Sequence, residues 1–204
     1  MDTKSAKKKS ADKSASKKIN KASRPVTRIN HHSIYLYYAR IKSNGTIDRE
    51  RVYFFHKKHA PITNVETKIA DMADNAVHDN DDPPAYGGKI KDLVRRRKGY
   101  FVLVIDSTRY KVDQNNPMTF AGTGPANDGS HTFINARYMP VAVGSKVLDV
   151  IICENIMRKH STGNDLGDNE SETFDLTVNF IPSLPRGMFP DSGGTNMGPP
   201  LGPP

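Results

Sequence analysis

The stretch "SIYLYYARIKSNGTIDRERVYFF", residues 33–55, decides the fold. Two runs rich in aromatic and β-branched residues flank "SNGT", which has Asn44 and Gly45 at its centre. Asn-Gly favours positive φ at both central residues of a type I′ turn and is the strongest short-range signal of a hairpin. We therefore predict a β-hairpin with strands over residues 33–41 and 47–56.

A helix is predicted directly after this hairpin. Thr63 and Glu66 follow Pro61 and have the Thr-x-x-Glu spacing of a capping box. Apolar residues then recur at helical spacing from Val65 onward, so one face of the helix is apolar. The helix should end near His78, because the following "DNDDPP" cannot continue it.

Four further strands are predicted, over "GYFVLVID" (99–106), "HTFINARYM" (131–139), "KVLDVIICENIM" (146–157) and "TFDLTVNFI" (173–181). The first and third are apolar on both faces, which is typical of inner strands. The last alternates apolar and polar residues, as a half-buried strand does. Six strands and one helix without repeated βα units favour a mainly β fold, an antiparallel β-sandwich or open barrel with one amphipathic helix.

The charge divides the chain into an arm and a body. Of 30 Lys and Arg and 22 Asp and Glu, residues 1–28 hold ten and two, so the remainder has 20 of each and is neutral. The net charge of +8 therefore belongs to the N-terminal segment. Residues 1–29 are predicted to be a disordered basic arm, because they cannot bury enough apolar surface to offset the entropy of ordering.

The other end of the chain is rich in proline and glycine. Residues 182–204 contain seven Pro and five Gly and end in "NMGPPLGPP". Proline fixes φ and removes hydrogen-bond donors, so we predict a disordered, partly polyproline-II tail. The β-rich globular domain then spans residues 30–181, which is enough chain for one hydrophobic core.

The arm predicts contact with a polyanion. Lys and Arg neutralise phosphates and release counterions, which gives salt-sensitive affinity for nucleic acid without sequence specificity. The arm lacks aromatic residues for base stacking, and a merely solubilising tail is the alternative interpretation. The residues expected to carry the contact are Lys7, Lys8, Lys9, Lys17, Lys18, Lys21, Arg24 and Arg28.

A second basic cluster lies directly before the strand predicted at residues 99–106. It comprises Arg95, Arg96, Arg97 and Lys98. It either extends a phosphate-binding surface or keeps the apolar strand from aggregating. The two basic clusters can act together only if the fold brings this loop near residue 30.

Metal ligation is a weaker hypothesis, and we expect no metal and no cofactor. His31, His32, His56 and His59 lie at the outer ends of the predicted hairpin, which could meet and hold a transition metal. The acidic loop "GNDLGDNESE" offers oxygen ligands for calcium, but its spacing is not that of an EF-hand. Its candidate ligands are Asp165, Asp168, Glu170 and Glu172.

The sequence offers little for an enzyme. Cys153, the single cysteine, lies in an apolar run and is predicted to be a buried small hydrophobe, not a thiolate. There is no nucleophile elbow or P-loop, and Asp106 and Glu154 would interest us as a carboxylate pair only if they lay close together. An enzyme of unknown reaction is our third choice, after a binding or structural protein and a β module that binds a ligand or protein.

The remaining expectations concern location and assembly. No apolar run approaches the roughly 20 residues that cross a bilayer, and no secretory leader is present, so we expect a soluble, intracellular, cytoplasmic protein. A basic arm before a β-sandwich is also the general layout of small viral coat proteins. Self-association through the β domain is therefore a further expectation, on an analogy of layout alone.

Overall fold

The computed structural model describes residues 31–78, 94–95, 98–119, 132–158, 162–168, 170–174, 176–184 and 194–197, with the backbone alone for 94–95, 172–174 and 194–197. The elements, in chain order, are β1 (Ser33–Ile41), β2 (Ile47–His56), α1 (Val65–His78), β3 (Val94–Arg95), β4 (Gly99–Ser107), β5 (Lys111–Val112), β6 (Met118–Thr119), β7 (Phe133–Val143), β8 (Lys146–Asn155), β9 (Ser171–Phe174), β10 (Thr177–Val178), β11 (Phe180–Ile181) and β12 (Gly194–Met197). The prediction of a mainly β fold with one helix is confirmed.

The first hairpin has the predicted strand bounds but a different turn. The Gly45 amide donates to the Lys42 carbonyl at 2.9 Å, and the Lys42 amide donates to the Thr46 carbonyl at 2.8 Å. Gly45 has φ 88°, whereas Asn44 keeps a negative φ, so this is a type I turn followed by a left-handed glycine and not the predicted type I′ turn. The Asn44 side-chain oxygen accepts hydrogen bonds from the amide and hydroxyl of Thr46, which favours this geometry.

A five-stranded sheet forms the centre of the molecule, in the order β2-β1-β4-β8-β7. β1 and β4 run parallel, and every other neighbouring pair in this sheet is antiparallel. The sheet is therefore mixed, where the sequence analysis expected antiparallel pairing. The physical reason is the helix: α1 lies between β2 and β4 in the chain, which allows β4 to return beside β1 in the same direction.

The start of β4 lies tightly against the start of β1. A Cβ atom on Gly99 would lie 2.6 Å from the carbonyl oxygen of Ser33, which is closer than van der Waals contact. Glycine has no Cβ atom and therefore allows the two backbones to approach this closely. Because the two strands are parallel, the chain enters both of them at the same end of the sheet.

Each face of the sheet has its own core. On one face, α1 buries Ile69, Met72, Ala73 and Ala76 against alternate residues of β1, β4 and β8. On the other face, the short ladders β5–β11 and β6–β10 cover the sheet, in place of a second long sheet. The two predicted inner strands, β4 and β8, are both inner strands of the sheet.

The segment predicted as one strand over residues 173–181 is interrupted. Leu176, Val178 and Phe180 are buried as the alternation predicts. However, β10 pairs with β6 while β11 pairs with β5, and Asn179 between them hydrogen-bonds to the turn that joins β5 to β6. The chain that pairs with this segment is also divided into two short strands, β5 and β6. The pairing is therefore interrupted at the turn between them.

The segment predicted as a disordered C-terminal tail contains a strand, β12, which pairs with β9 and β3. No proline lies between Pro190 and Pro199, so the backbone donors of β12 are intact. None of the helices in the described part of the chain is long and apolar enough to cross a membrane.

Candidate functional site

The basic arm meets the fold at one end of the sheet. The His31 carbonyl accepts a hydrogen bond from the Ile62 amide at 2.9 Å, and the His32 carbonyl accepts one from the Lys57 amide at 2.6 Å. The loop between β2 and α1 is thus bonded to the residues that follow the arm. Lys98 lies at the same end, because it directly precedes Gly99 in β4.

A cleft of about 410 Å³ opens beside this junction, between the end of β2 and the first turn of α1. Its lining residues, which we call the lysine cleft, are Phe55, His56, Lys57, Lys58, Ile62, Thr63 and Lys68. Lys57 and Lys58 are exposed, whereas Lys68 is half-buried. The Lys68 Nζ lies 4.4 Å from the centre of the Phe55 ring, a cation–π contact that holds the ammonium group over the apolar floor.

The lysines of the lysine cleft differ in their ion pairing from two other cations of the fold. Among the described residues, no carboxylate lies within ion-pair distance of Lys57, Lys58 or Lys68. By contrast, Lys98 pairs with Asp165 at 2.6 Å and Arg137 with Glu66 at 2.8 Å. The cleft is therefore a local concentration of positive charge on a body of zero net charge.

A second cavity, of about 550 Å³, adjoins the first, since Ile62 and Thr63 line both. We call it the His31 cavity; its other lining residues are His31, Pro61, Asn64, Val65, Glu66, Tyr100, Arg137 and Glu154. Its volume lies within the usual range for sites that hold small molecules.

His31 and Glu154 form the polar centre of this cavity. The His31 side chain is fully buried, and its Nε2 lies 3.0 Å from a Glu154 carboxylate oxygen. The other carboxylate oxygen accepts a hydrogen bond from the Asn135 amide at 3.1 Å. Burial lowers the pKa of His31, and this outweighs the opposing effect of Glu154. At neutral pH His31 is therefore uncharged, and no Lys or Arg in the described part of the chain forms an ion pair with Glu154.

Arg137 and Glu66 close the other side of the His31 cavity. The Arg137 guanidinium donates to Glu66 at 2.8 Å. A hydrogen bond from its own backbone amide, followed by the contact with Arg137, lowers the pKa of Glu66. The first helical hydrogen bond runs from the Lys68 amide to the Asn64 carbonyl, so Asn64 is the N-cap, one residue later than the capping box predicts.

The predicted polyanion contacts lie largely outside the described residues. This holds for the arm residues Lys7, Lys8, Lys9, Lys17, Lys18, Lys21, Arg24 and Arg28, and for Arg96 and Arg97. Arg95 is described by its backbone in β3, which pairs with β12. Lys98 already forms an ion pair with Asp165.

The hairpin ends that carry four histidines do meet, since Ser33 pairs with His56. The imidazoles nevertheless serve different contacts: His31 bonds Glu154, and His56 stacks 6.3 Å from Phe54. His59 has φ 63° in the loop that follows. Among the described residues, no three His, Cys, Asp or Glu side chains lie close enough to hold a metal ion.

Two carboxylates of the acidic loop are engaged in other contacts. Asp165 accepts the Lys98 ammonium, and Glu170 accepts a hydrogen bond from the Gly167 amide at 2.6 Å. Asp168 is exposed, and the side chain of Glu172 lies outside the described residues. The structure brings none of the described carboxylates of this loop into a shared cation site.

Cys153 is buried, as predicted. Asp106 and Glu154 do not pair: Glu154 faces Tyr100 at the start of β4, and Asp106 lies near the end of that strand. Asp106 instead accepts hydrogen bonds from Tyr38 at 2.9 Å and Lys146 at 3.1 Å. Sequence reasoning missed the lysine cleft, although the paired lysines of "HKKH" were a visible signal.

Comparison of the chain with protein-family models found no match, and comparison with curated proteins found none either.

Proposed function

We propose that this is a non-catalytic protein that binds a polyanion, namely nucleic acid without sequence specificity, through its basic arm. One observation carries the proposal: residues 1–28 hold the whole net charge of +8, ahead of a neutral remainder. Such segregation concentrates counterion release in one segment, which yields salt-dependent affinity independent of base sequence.

The place where the arm joins the fold supports this proposal. The residues that follow the arm are hydrogen-bonded to the loop bearing Lys57, and Lys98 lies at the same end of the sheet. A strand bound by the arm would consequently meet the exposed Lys57 and Lys58 on the body. Lys98 and Arg137 are already paired with Asp165 and Glu66, so those two carboxylates add little repulsion.

The test removes the charge of the arm and leaves the fold. We expect two variants to lose most of their affinity for single-stranded RNA of mixed sequence: the chain lacking residues 1–28, and the full-length chain with six of its arm lysines changed to Gln, namely Lys7, Lys8, Lys9, Lys17, Lys18 and Lys21. Binding is measured by fluorescence anisotropy at low and physiological salt, and circular dichroism confirms that each variant is folded. Unchanged affinity in both variants would contradict the proposal.

The His31 cavity favours a second candidate function, binding of a small polar ligand. At its centre, the Glu154 carboxylate contacts the uncharged His31 imidazole and the Asn135 side-chain amide. Among the described residues, no Lys or Arg forms an ion pair with it. Such a centre prefers a ligand that donates hydrogen bonds, a hydroxyl or an amine.

This second candidate is tested by thermal melting of the full chain with ribonucleosides, hexoses and amino acids. A ligand of the His31 cavity should raise the melting temperature of the wild type, because it binds only the folded state. Glu154→Gln should abolish that rise, since it removes the carboxylate charge while keeping the side-chain shape. If none of these compounds shifts the melting temperature, the second candidate is wrong.

A further inference from the structure

The exposed lysine side chains of the lysine cleft take no part in the apolar core. Lys57 and Lys58 are exposed and lie in the loop after β2, and no carboxylate among the described residues balances them. Like charges held close together raise the energy of the unbound protein, unless an anion lies between them. A cluster of this kind is therefore best explained by an anionic partner.

The cleft offers an apolar surface beside its cations. Its floor is formed by Phe55 and Ile62, and about 410 Å³ lies above them. Lys68 is fixed over the Phe55 ring, so little side-chain entropy remains to be lost when its ammonium group meets an anion. Thr63 adds a hydroxyl at the edge, a group that hydrogen-bonds phosphate oxygens.

The position of the cleft selects the partner. The Lys57 amide is bonded to the His32 carbonyl, so the cleft begins where the basic arm ends. An extended strand held by the last residues of the arm would therefore lie close to the cleft. Phosphate is the anion that such a strand presents at regular intervals.

We propose that the lysine cleft binds the phosphodiester backbone of the same nucleic acid that the arm contacts, with Lys57, Lys58 and Lys68 as phosphate ligands. This inference rests on the proposed function and adds to it a defined site on the folded body. It also makes Phe55 a positioning residue, because its ring holds Lys68 in place.

The test compares two full-length variants that lose the same charge. Lys57→Gln with Lys58→Gln empties the cleft of its exposed cations. Lys42→Gln with Lys111→Gln removes two exposed lysines near the opposite end of the sheet, in the hairpin turn and in β5. Affinity for single-stranded RNA of mixed sequence is measured by anisotropy over a range of salt concentrations.

We expect the cleft variant to bind about three- to tenfold more weakly, with the slope of log K against log salt reduced by about 1.4 for two lost contacts. The control variant should match the wild type. Equal losses in the two variants would overturn the inference, because binding would then follow net charge alone.

Two further measurements separate this inference from others. If the arm variants bind as well as the wild type while the cleft variant does not, the proposed role of the arm fails and the cleft remains. If inorganic phosphate raises the melting temperature of the wild type but not of the cleft variant, while the two bind RNA equally well, the cleft serves free phosphate and the inference of a bound strand is wrong.

Discussion

His31 is the residue at which the arm, the sheet and the cavity come together. Its carbonyl bonds the loop before α1, its ring lies against Tyr100 with centres 4.8 Å apart, and its Nε2 bonds Glu154. The sequence indicated His31 as a member of a histidine group and Glu154 as a partner for Asp106, and it did not predict the contact between His31 and Glu154, 123 positions apart. The partner could not be predicted, because it depends on the pairing of β4 with β8.

The buried imidazole predicts a pH dependence of stability. Since burial lowers the pKa of His31 in the fold, the unfolded chain takes up a proton more readily below pH 6.5. Stability should be full above that pH and fall as the pH drops toward the folded-state pKa, by at most about 1.4 kcal/mol per pH unit. Glu154, Lys98 and His32 face the ring and contribute to its pKa.

We expect His31→Gln to flatten this part of the profile, because the amide still bonds Glu154 but does not titrate. The measurement is the free energy of unfolding in urea at pH 7, 6 and 5. Parallel profiles for the wild type and the variant would show that His31 is not the titrating group.

At the scale of elements, local signals in the sequence predicted the bounds of strands and helix, but they did not predict which strands pair. The bounds of β1 and β2 and the end of α1 match the sequence analysis, because the Asn-Gly turn, the aromatic runs and "DNDDPP" act on their own neighbours. The parallel pairing of β1 with β4 was not predicted, since it depends on the path of the chain after α1. That pairing places Lys98 beside the end of the arm.

The contact between β1 and β4 predicts a sharp cost for one methyl group. We expect Gly99→Ala to lower the free energy of unfolding by about 1–3 kcal/mol, because its Cβ would press against the Ser33 carbonyl. Val147→Ala, at a position 56% exposed in β8, should change it by less than about 0.5 kcal/mol. Urea denaturation monitored by tyrosine fluorescence measures both, and equal stability of Gly99→Ala and wild type would contradict the close approach.

At the scale of the whole molecule, the candidate site combines what the sequence could and could not predict. The charge of the arm follows from composition alone. The lysine cleft could not be predicted from composition, because Lys57 and Lys68 come together only when α1 packs against the end of β2. The lysine cleft places positive charge at one end of the sheet, next to the residues that follow the arm. Both faces of the sheet are covered by apolar residues.

The salt dependence of RNA binding tests this account most directly. For the full chain, log K should fall steeply with log salt, and removal of residues 1–28 should reduce the slope by several units, up to about 7 if all ten basic residues contact phosphates. The remaining slope should then fall by about a further 1.4 in the variant that also carries Lys57→Gln and Lys58→Gln, which keeps Lys68 in the cleft. A slope that is the same with and without the arm would contradict the central claim.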